Sequence, residues 1–171
     1  MVIEKIYSSL LVTPISAEDI VAGDIAWGTF RGVISGLLML LIAALLGVVP
    51  VSPLAFIYLI LLMVLVGILF GSLAMIMTSF APNFDFFNYY TQLVVSPLFF
   101  FSGVFFPLEH FPKWIQTISL FSPLTHGVII SRAIFEGKYS IGLLLNLIAL
   151  LIPATIAFYL AIYFMKKRLI K

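Results

Sequence analysis

Four long apolar stretches, each free of charged residues, determine what this chain can fold into. They run from about Gly32 to Val49, Leu54 to Met77, Phe86 to Phe106 and Ile141 to Met165. A helix of roughly 20 apolar residues crosses the ~30 Å hydrocarbon core of a bilayer. Because 63% of the 171 residues are hydrophobic and only 9% are charged, a soluble fold is excluded. The sequence predicts an all-α, polytopic membrane protein with four transmembrane helices.

The charged residues predict the orientation of these spans. A basic cluster follows the last stretch and consists of Lys166, Lys167, Arg168 and Lys171. Such clusters favour the cytoplasmic side of the membrane. We therefore expect a plasma-membrane protein whose four spans leave both termini in the cytoplasm. The predicted parts are a cytoplasmic and interfacial segment (1–31), a transmembrane part (32–165) and a basic cytoplasmic tail (166–171). An external helical region (107–140) lies within the second part.

The N-terminal segment is predicted to contain two helices. Apolar residues at helical spacing form a stripe on the first, which Thr13 and Pro14 end: Ile3, Ile6, Tyr7, Leu10 and Leu11. Ser16 is a good N-cap for the second, with Glu18 and Asp19 in its first turn. If that helix continues into the first span, it covers about 33 residues, or roughly 50 Å, and projects into the cytoplasm. By pattern alone, the first helix is either an interfacial anchor or a docking element.

Glycines at four-residue spacing predict close helix packing in two of the spans. The first carries Gly28, Gly32 and Gly36, and the second carries Gly67 and Gly71. Such faces let helices approach closely where lipid removes the hydrophobic driving force. Packing within one subunit is the more common use of these faces, and dimerisation is the alternative.

The region after Pro107 keeps an amphipathic pattern instead of becoming a plain polar loop. A first short helix, ended by Ser122-Pro123, has an apolar face of Phe111, Trp114, Ile115, Ile118 and Phe121. A second is expected from His126 to Glu136, with Gly137 as its stop. Both are too short to span, so we expect re-entrant or interfacial helices.

Pro97 interrupts the third apolar stretch. Proline removes one backbone hydrogen bond, which Gln92, Ser96 or Ser102 could partly replace. The sequence therefore predicts a kink in this span.

No residue pattern indicates an enzyme. Glu109, His110, His126 and Arg132 form only a weak candidate for a metal or acid–base site, because they lack metal-ligand spacing. There is no cysteine, no phosphate-binding loop and no hydrolase motif. The predicted spans also lack the ionisable residues that proton- or sodium-coupled carriers use. We expect no cofactor and no metal, and energy for any active transport must come from elsewhere.

Three segments carry a family resemblance. They are EKIYSSLLVTPISAEDIVAGDIAW (Glu4 to Trp27), SPLFFFSGVFFPLEHFPKWIQ (Ser96 to Gln116) and SPLTHGVIISR (Ser122 to Arg132). The chain resembles the permease subunits of type 2 ATP-binding-cassette (ABC) exporters, including nodulation-factor (lipo-oligosaccharide) and multidrug exporter permeases. The similarity covers nearly the whole chain.

The resemblance implies a permease that exports an amphiphilic substrate such as a drug, a lipid or a lipid-linked saccharide. ATP would be hydrolysed on a separate subunit. The segment that resembles the cytoplasmic coupling helix would contact that subunit through Glu4, Lys5, Tyr7, Leu10, Leu11, Thr13 and Pro14. The external exit would involve Ser102, Phe105, Phe106, Pro107, Trp114, Pro123, His126 and Arg132. The aromatic residues among these are equally typical of interfacial anchors.

The resemblance begins at the coupling helix, so the first two of the six spans usual in this family are not represented. A late start codon, a split permease and a degenerate remnant each account for this. Expected partners are the ATPase, a second permease subunit in a homo- or heterodimer, a chain supplying the missing spans, and membrane lipid; nucleic acid is not expected. The alternative function is a membrane scaffold or assembly subunit without a path of its own.

Overall fold

The computed structural model describes residues 16–47, 52–83 and 85–169. Its long helices are α1 (Ala17–Leu45), α2 (Pro53–Phe80) and α7 (Gly142–Leu169). Between α2 and α7 lie α3 (Asp85–Tyr90), a π-helical segment (Thr91–Val95), α4 (Ser96–Phe101), a 3₁₀ turn (Leu108–His110), α5 (Lys113–Ser119) and α6 (Pro123–Phe135). These ranges contain no β-strand, which confirms the predicted all-α class.

Three helices are long and apolar enough to cross a membrane: α1, α2 and α7. They contain 29, 28 and 28 residues. At 1.5 Å per residue each measures roughly 42–44 Å, which exceeds the hydrocarbon core. The protein is therefore membrane-embedded, and long apolar helices are present where the first, second and last spans were predicted. Within the described ranges a fourth span is counted only if α5 and α6, which are bent by 94°, are taken together.

The predicted third span, Phe86 to Phe106, differs from expectation. It is a broken helix that runs from Asp85 to Phe101 through the π-helical segment, and it stops five residues early. The segment immediately precedes Pro97, whose missing N–H prevents a regular backbone ladder. Ser96 Oγ donates a hydrogen bond to the Thr91 carbonyl at 3.0 Å, so it binds one of the carbonyls in the distorted turn. We call Asp85–Phe101 the broken span after the span predicted there, although it is not among the helices long and apolar enough to cross a membrane.

The start of α1 is fixed by local capping. Asp19 N donates to Ser16 Oγ at 3.1 Å, and Ser16 N donates to Asp19 Oδ2 at 3.2 Å. This reciprocal pair is a capping box, which satisfies backbone N–H groups that a helix start otherwise leaves unpaired. The prediction that a helix begins after Ser16 and continues into the first span is confirmed, although α1 ends at Leu45.

Small residues allow the three long helices to pack closely, with α2 contacting both α1 and α7. A Cβ at Gly67 would lie 2.8 Å from Thr29 Cγ2, and one at Gly71 would lie 3.4 Å from Ile25 Cγ2. On α7, Ala154, Ala157 and Ala161 are buried. Backbones can approach closely at such positions, which is how helices associate in lipid.

The two helices predicted after Pro107 are present with shifted bounds. α5 is a short helix of 7 residues, and α6 begins at Pro123, three residues before the expected His126. Proline favours the first helical position because its fixed φ suits the helix and its missing N–H is not needed there. Gly137, at φ +67°, follows the end of α6, and Lys138 N donates to the Ala133 carbonyl at 2.9 Å. This is the expected glycine stop.

Candidate functional site

The chain brings two groups of polar residues to opposite ends of the bundle. The loop end comprises residues 102–141 together with the helix ends that they join. The basic end comprises Glu18, Thr78, Ala81, Lys166 and Arg168. The broken span runs between these two ends.

Arg132 connects α6 to the end of α4. Its guanidinium donates a hydrogen bond to the carbonyl oxygen of Gly103. Gly103 is buried and has φ +84°, and a Cβ there would lie 3.1 Å from Leu108 Cγ. The neighbouring Ser102 is fully buried, and its hydroxyl donates to the Phe99 carbonyl at 2.8 Å. The turn that ends the broken span is therefore tightly packed and held by a cation.

A small polar cavity of about 340 Å³ surrounds this contact. Its charged lining residues are Glu109, Arg132, Glu136 and Lys138. Lys138 Nζ lies 2.7 Å from Glu136 Oε2, and both side chains are exposed. The hydrogen bond from Lys138, together with its charge, lowers the pKa of Glu136. Two acids and two bases balance each other, so the cavity has no strong preference for an anion or a cation.

Phenylalanines surround the turn after α4 and form what we call the phenylalanine cluster: Phe99, Phe100, Phe101, Phe105, Phe106 and Phe111. The Phe105 ring lies 5.8 Å from the Phe99 ring and 5.3 Å from the Phe100 ring. Phe111 contacts the rings of Phe101 and Phe106 at 6.2 and 6.4 Å. These are favourable aromatic separations. Phe105 and Phe106 are each 57% exposed, so the cluster presents an open aromatic surface beside Pro107.

The apolar face predicted around α5 is only partly covered, since Phe111 and Ile115 are half-buried and the other three residues are exposed. Trp114 is 65% exposed, Ile118 is 60% exposed and Phe121 is 87% exposed. Such a face on a short helix is typical of a segment that lies in the membrane interface, with tryptophan at headgroup level. The role of Trp114 and the phenylalanine cluster in one exit region stays a prediction.

His126 contacts two other elements. Its Nδ1 lies 2.7 Å from Asn146 Oδ1 on α7, and its Nε2 lies 2.9 Å from the Leu120 carbonyl. Asn146 Nδ2 donates to the Gly142 carbonyl at 3.0 Å. His126 thus joins α6, the α5–α6 turn and α7, which is a structural role. Among the described residues no group of three metal-ligating side chains exists.

Asn146 was not predicted as a contact residue, because the last apolar stretch is defined by its hydrophobicity and its lack of charged residues. The sequence does contain one indication of this contact, because Asn146 is the only asparagine between Gly142 and Leu169. An amide in such a helix requires a hydrogen-bonding partner within the protein.

Charged residues at the basic end join three helices. Lys166 Nζ lies 2.5 Å from Glu18 Oε1, which links α7 to the start of α1. Arg168 donates to the carbonyl of Thr78 and, at 3.1 Å, to that of Ala81. Both carbonyls belong to the C-terminal end of α2, where the helix dipole and unpaired carbonyl groups favour a cation. These contacts were not predicted, since the sequence showed only a basic cluster.

The predicted ATPase-contact residues, from Glu4 to Pro14, lie outside the described residues. They immediately precede the Ser16 cap of α1. Of the predicted packing glycines, Gly36, Gly67 and Gly71 face neighbouring helices, with Gly36 beside Met63. Gly28 and Gly32 have no other described group within 4 Å of the Cβ position.

The broken span carries a polar stripe, consisting of Asn88, Thr91, Gln92 and Ser96. Asn88, Thr91 and Gln92 fall at i, i+3 and i+4, which is the spacing of one helix face, and Ser96 follows the π-helical segment. Asn88, Thr91 and Gln92 are exposed, and Ser96 is half-buried. The broken span contacts the rest of the bundle sparsely, through α2 at one end and α6 at the other. The described residues thus leave the stripe open.

The structure is that of a polytopic α-helical membrane protein. It has apolar helices of membrane-spanning length, the broken span with its polar stripe, and short helices at one end. Residues 2–135 match the family model described as ABC-2 type transporter, and the chain belongs to this family. The resemblance predicted from the sequence is confirmed.

Proteins of known name are similar to nearly all of the chain. Nodulation protein J of Rhizobium leguminosarum bv. trifolii is 32% identical over 168 residues, which is 98% of this chain and 63% of the relative. Nodulation protein J of Rhizobium meliloti is 31% identical over 97% of this chain and 63% of its own length. The inner membrane transport permease YadH of Escherichia coli is 30% identical over 88% of this chain and 58% of its own length. The chain thus spans less than two thirds of these relatives, and no solved structure matches it.

Proposed function

We propose that this chain is part of the transmembrane permease of an ATP-driven exporter that moves an amphiphilic substrate out of the cell. Membership of the ABC-2 type transporter family and the similarity to a protein named a transport permease support this proposal. The observation that carries it is the open polar stripe on the broken span.

Transfer of an amide side chain from water into hydrocarbon without a hydrogen-bonding partner costs on the order of 2–7 kcal/mol. Asn88 and Gln92 are exposed on a helix whose other residues are mainly apolar. The stripe is therefore expected to face something other than lipid tails. A substrate path shared with a second permease subunit satisfies this requirement, and the phenylalanine cluster at its end suits the apolar part of an amphiphile.

The energy source in this proposal is an ATPase subunit that binds the segment Glu4–Pro14. Its apolar stripe suits docking, and it connects directly to the capped start of α1. Glu18 joins α1 to Lys166 of α7, and Arg168 joins α7 to the end of α2. A displacement of the docking segment would then move three helices together. The proposed orientation places this end in the cytoplasm and the loop end outside.

The proposed assembly contains a second permease subunit. A further chain supplies the spans that correspond to the rest of the relatives' length. The polar stripe and the open face around Gly28 and Gly32 are the surfaces offered for these contacts. The amphiphilic cargo is a drug, a lipid or a lipid-linked saccharide.

Single cysteines test the path directly, because the natural chain contains none. Gln92→Cys lies on the polar stripe, and Leu93→Cys, at an exposed position beside it, is the matched control. In membranes of cells that also make the ATPase, we expect a membrane-impermeant maleimide to label Gln92→Cys several-fold faster than Leu93→Cys. The rate should change when ATP hydrolysis is blocked by vanadate. Equal, slow labelling at both positions contradicts a path along the stripe and favours the scaffold function.

The ATPase contact has its own test. Leu10→Asp disrupts the apolar stripe of the docking segment, whereas Ser9→Asp adds the same charge outside that stripe. We expect Leu10→Asp to reduce co-purification of the ATPase at least several-fold, while Ser9→Asp leaves it close to the natural level. Equal recovery of the ATPase with both variants contradicts the proposed contact.

A further inference from the structure

Arg31 lies at the centre of α1. It is fourteen residues from Ala17 and fourteen from Leu45, the two ends of this 29-residue helix. The first span was predicted to begin at Gly32, so Arg31 was expected just outside the membrane-spanning part. In the structure, however, the helix continues for about four turns on either side of it.

The contacts between α1 and α2 give the level of Arg31 in the bundle. The two helices pack side by side in opposite directions, with Gly36 beside Met63 and Thr29 beside Gly67. Arg31 falls between these contacts, level with the middle of the 28 residues of α2, a helix without a charged residue. The middle of α2 lies roughly 20 Å from either end, whereas half of the hydrocarbon core measures about 15 Å. We therefore expect Arg31 near the midplane of the membrane.

The charge of Arg31 is not balanced within the described part of the chain. The residue is exposed, and its guanidinium makes no hydrogen bond or ion pair with any residue that the structure describes. Neither α2 nor α7 contains an aspartate or a glutamate. Arginines near helix ends can extend to the headgroups, but those deep in a span almost always pair with another group. Arg31 therefore requires a partner from outside the described residues.

The surface around Arg31 admits a second helix. Gly28 and Ser35 lie one turn before and one turn after Arg31, on the same side of α1, and both are exposed. The Cβ positions of Gly28 and Gly32 have no other described group within 4 Å. Small residues let the backbones of two helices approach closely in lipid. We call Gly28, Arg31 and Ser35 the Arg31 face.

Charge complementarity selects what covers this face. Two copies of one chain insert in the same orientation, so a twofold contact here would bring the two Arg31 side chains together. Like charges repel strongly in a medium of low dielectric constant. Lipid phosphates lie at the membrane surface, beyond the ~15 Å half-thickness of the hydrocarbon. A carboxylate on a neighbouring helix is available at the right depth, and it can accept two parallel hydrogen bonds from a guanidinium.

We infer that the Arg31 face binds a transmembrane helix of a different chain, and that an aspartate or glutamate of that helix pairs with Arg31 inside the membrane. The inference rests on the proposed function for the presence of a further chain, and it gives the chemistry by which that chain is recognised. A single acidic residue in the middle of an apolar helix identifies the partner.

Photo-crosslinking in membranes of the natural host tests the inference. One variant carries benzoylphenylalanine in place of Ser35. The control carries it in place of Phe30, which is 55% exposed and lies on the adjoining apolar side of α1. We expect the Ser35 variant to crosslink several-fold more to a helix of another protein, with an aspartate or glutamate within about one turn of the crosslinked residue.

The role of the charge is tested in the same Ser35 background. Arg31→Gln should lower the crosslinking yield several-fold, whereas Arg31→Lys keeps the charge and should retain most of it. Arg31→Glu, combined with lysine in place of the identified carboxylate, should restore the yield. The melting temperature of the isolated chain should be the same with Arg31→Gln as with the natural residue, since no described residue contacts the guanidinium.

Several results would overturn the inference. These are crosslinks from the Ser35 position only to lipid, to this chain or to a second copy of it, and a partner helix without an acidic residue at that level. An unchanged yield with Arg31→Gln, or a lower melting temperature of the isolated Arg31→Gln chain, would also overturn it. If these results appear while the ATPase co-purifies and Gln92→Cys is labelled as expected, the proposed function stands without this contact.

Discussion

Arg132 and Gly103 are separated by 29 positions in the sequence, yet the Arg132 guanidinium donates a hydrogen bond to the Gly103 carbonyl oxygen. Gly103 lies in the turn that ends the broken span and is buried, so water does not readily replace this donor. A cation is also favourable beside the carbonyl groups at a helix C-terminus. The contact therefore holds the end of the broken span to α6.

Arg132→Gln should lower the free energy of unfolding by about 1.5–3 kcal/mol, the usual contribution of a hydrogen bond that involves a charged group. Unfolding in detergent, followed by circular dichroism, measures this change. Lys113→Gln is the control, because it removes an exposed cation at the same end of the bundle. Equal stability of the two variants would show that the Arg132 contact contributes nothing specific.

Gly103→Ala should be more destabilising than Gly137→Ala. Both glycines have positive φ, at +84° and +67°, so each substitution introduces backbone strain of about 1–2 kcal/mol. At Gly103 the added Cβ also lies 3.1 Å from Leu108 Cγ, whereas at Gly137 no described group lies within 4 Å. The melting temperatures of both variants test this order. A Gly137→Ala protein that melts at or below the temperature of Gly103→Ala contradicts the packing argument.

Gly67→Ala should separate α1 from α2. Its Cβ would lie 2.8 Å from Thr29 Cγ2 and 3.1 Å from Thr29 Cα, and a backbone atom cannot move away without shifting the helix. We expect a loss of about 1–3 kcal/mol, typical of overpacking. Gly28→Ala, which has open space around it, is the matched control and should not destabilise the isolated chain. Thermal unfolding of the purified chain compares the stability of the two variants. The prediction is refuted if Gly67→Ala loses less stability than Gly28→Ala.

The two cations of the basic end should contribute unequally. The pair between Lys166 and Glu18 is about half exposed, so Lys166→Gln should cost only about 0–1 kcal/mol. Arg168 binds two backbone carbonyls at the end of α2, and Arg168→Gln should cost about 1.5–3 kcal/mol. Denaturant unfolding distinguishes these values. A double-mutant cycle of Glu18→Gln and Lys166→Gln measures the coupling energy of the pair. A coupling energy above about 1 kcal/mol would contradict the assignment of a weak pair.

Local signals in the sequence predicted the parts of the fold that depend on neighbouring residues. The Ser16 cap, the Gly137 stop and the distortion near Pro97 each follow from side-chain or backbone chemistry within a few positions. The long apolar helices follow from composition and length alone. The end of the broken span was predicted wrongly, since apolar residues continue to Phe106 and conceal the turn at Gly103.

The contacts between distant elements were not predictable from one sequence. Nothing near Arg132 indicates that it binds Gly103, and nothing near Arg168 indicates that it binds the end of α2. His126 was considered as a metal or acid–base residue, whereas its hydrogen bonds to Asn146 and Leu120 are structural. Such pairs depend on how the helices pack, which the pattern of each helix does not determine. The polar stripe was not predicted either, because its exposure depends on how the broken span packs against the other helices.

The π-helical segment Thr91–Val95 sets the rotational phase of α4 relative to α3. A π turn contains one more residue than an α turn, and one residue corresponds to a rotation of about 100° around the helix axis. Without that extra residue, the side chains of α4 would be rotated by about 100° relative to those of α3. The alignment between the two ends of the broken span therefore depends on a single inserted residue near mid-helix.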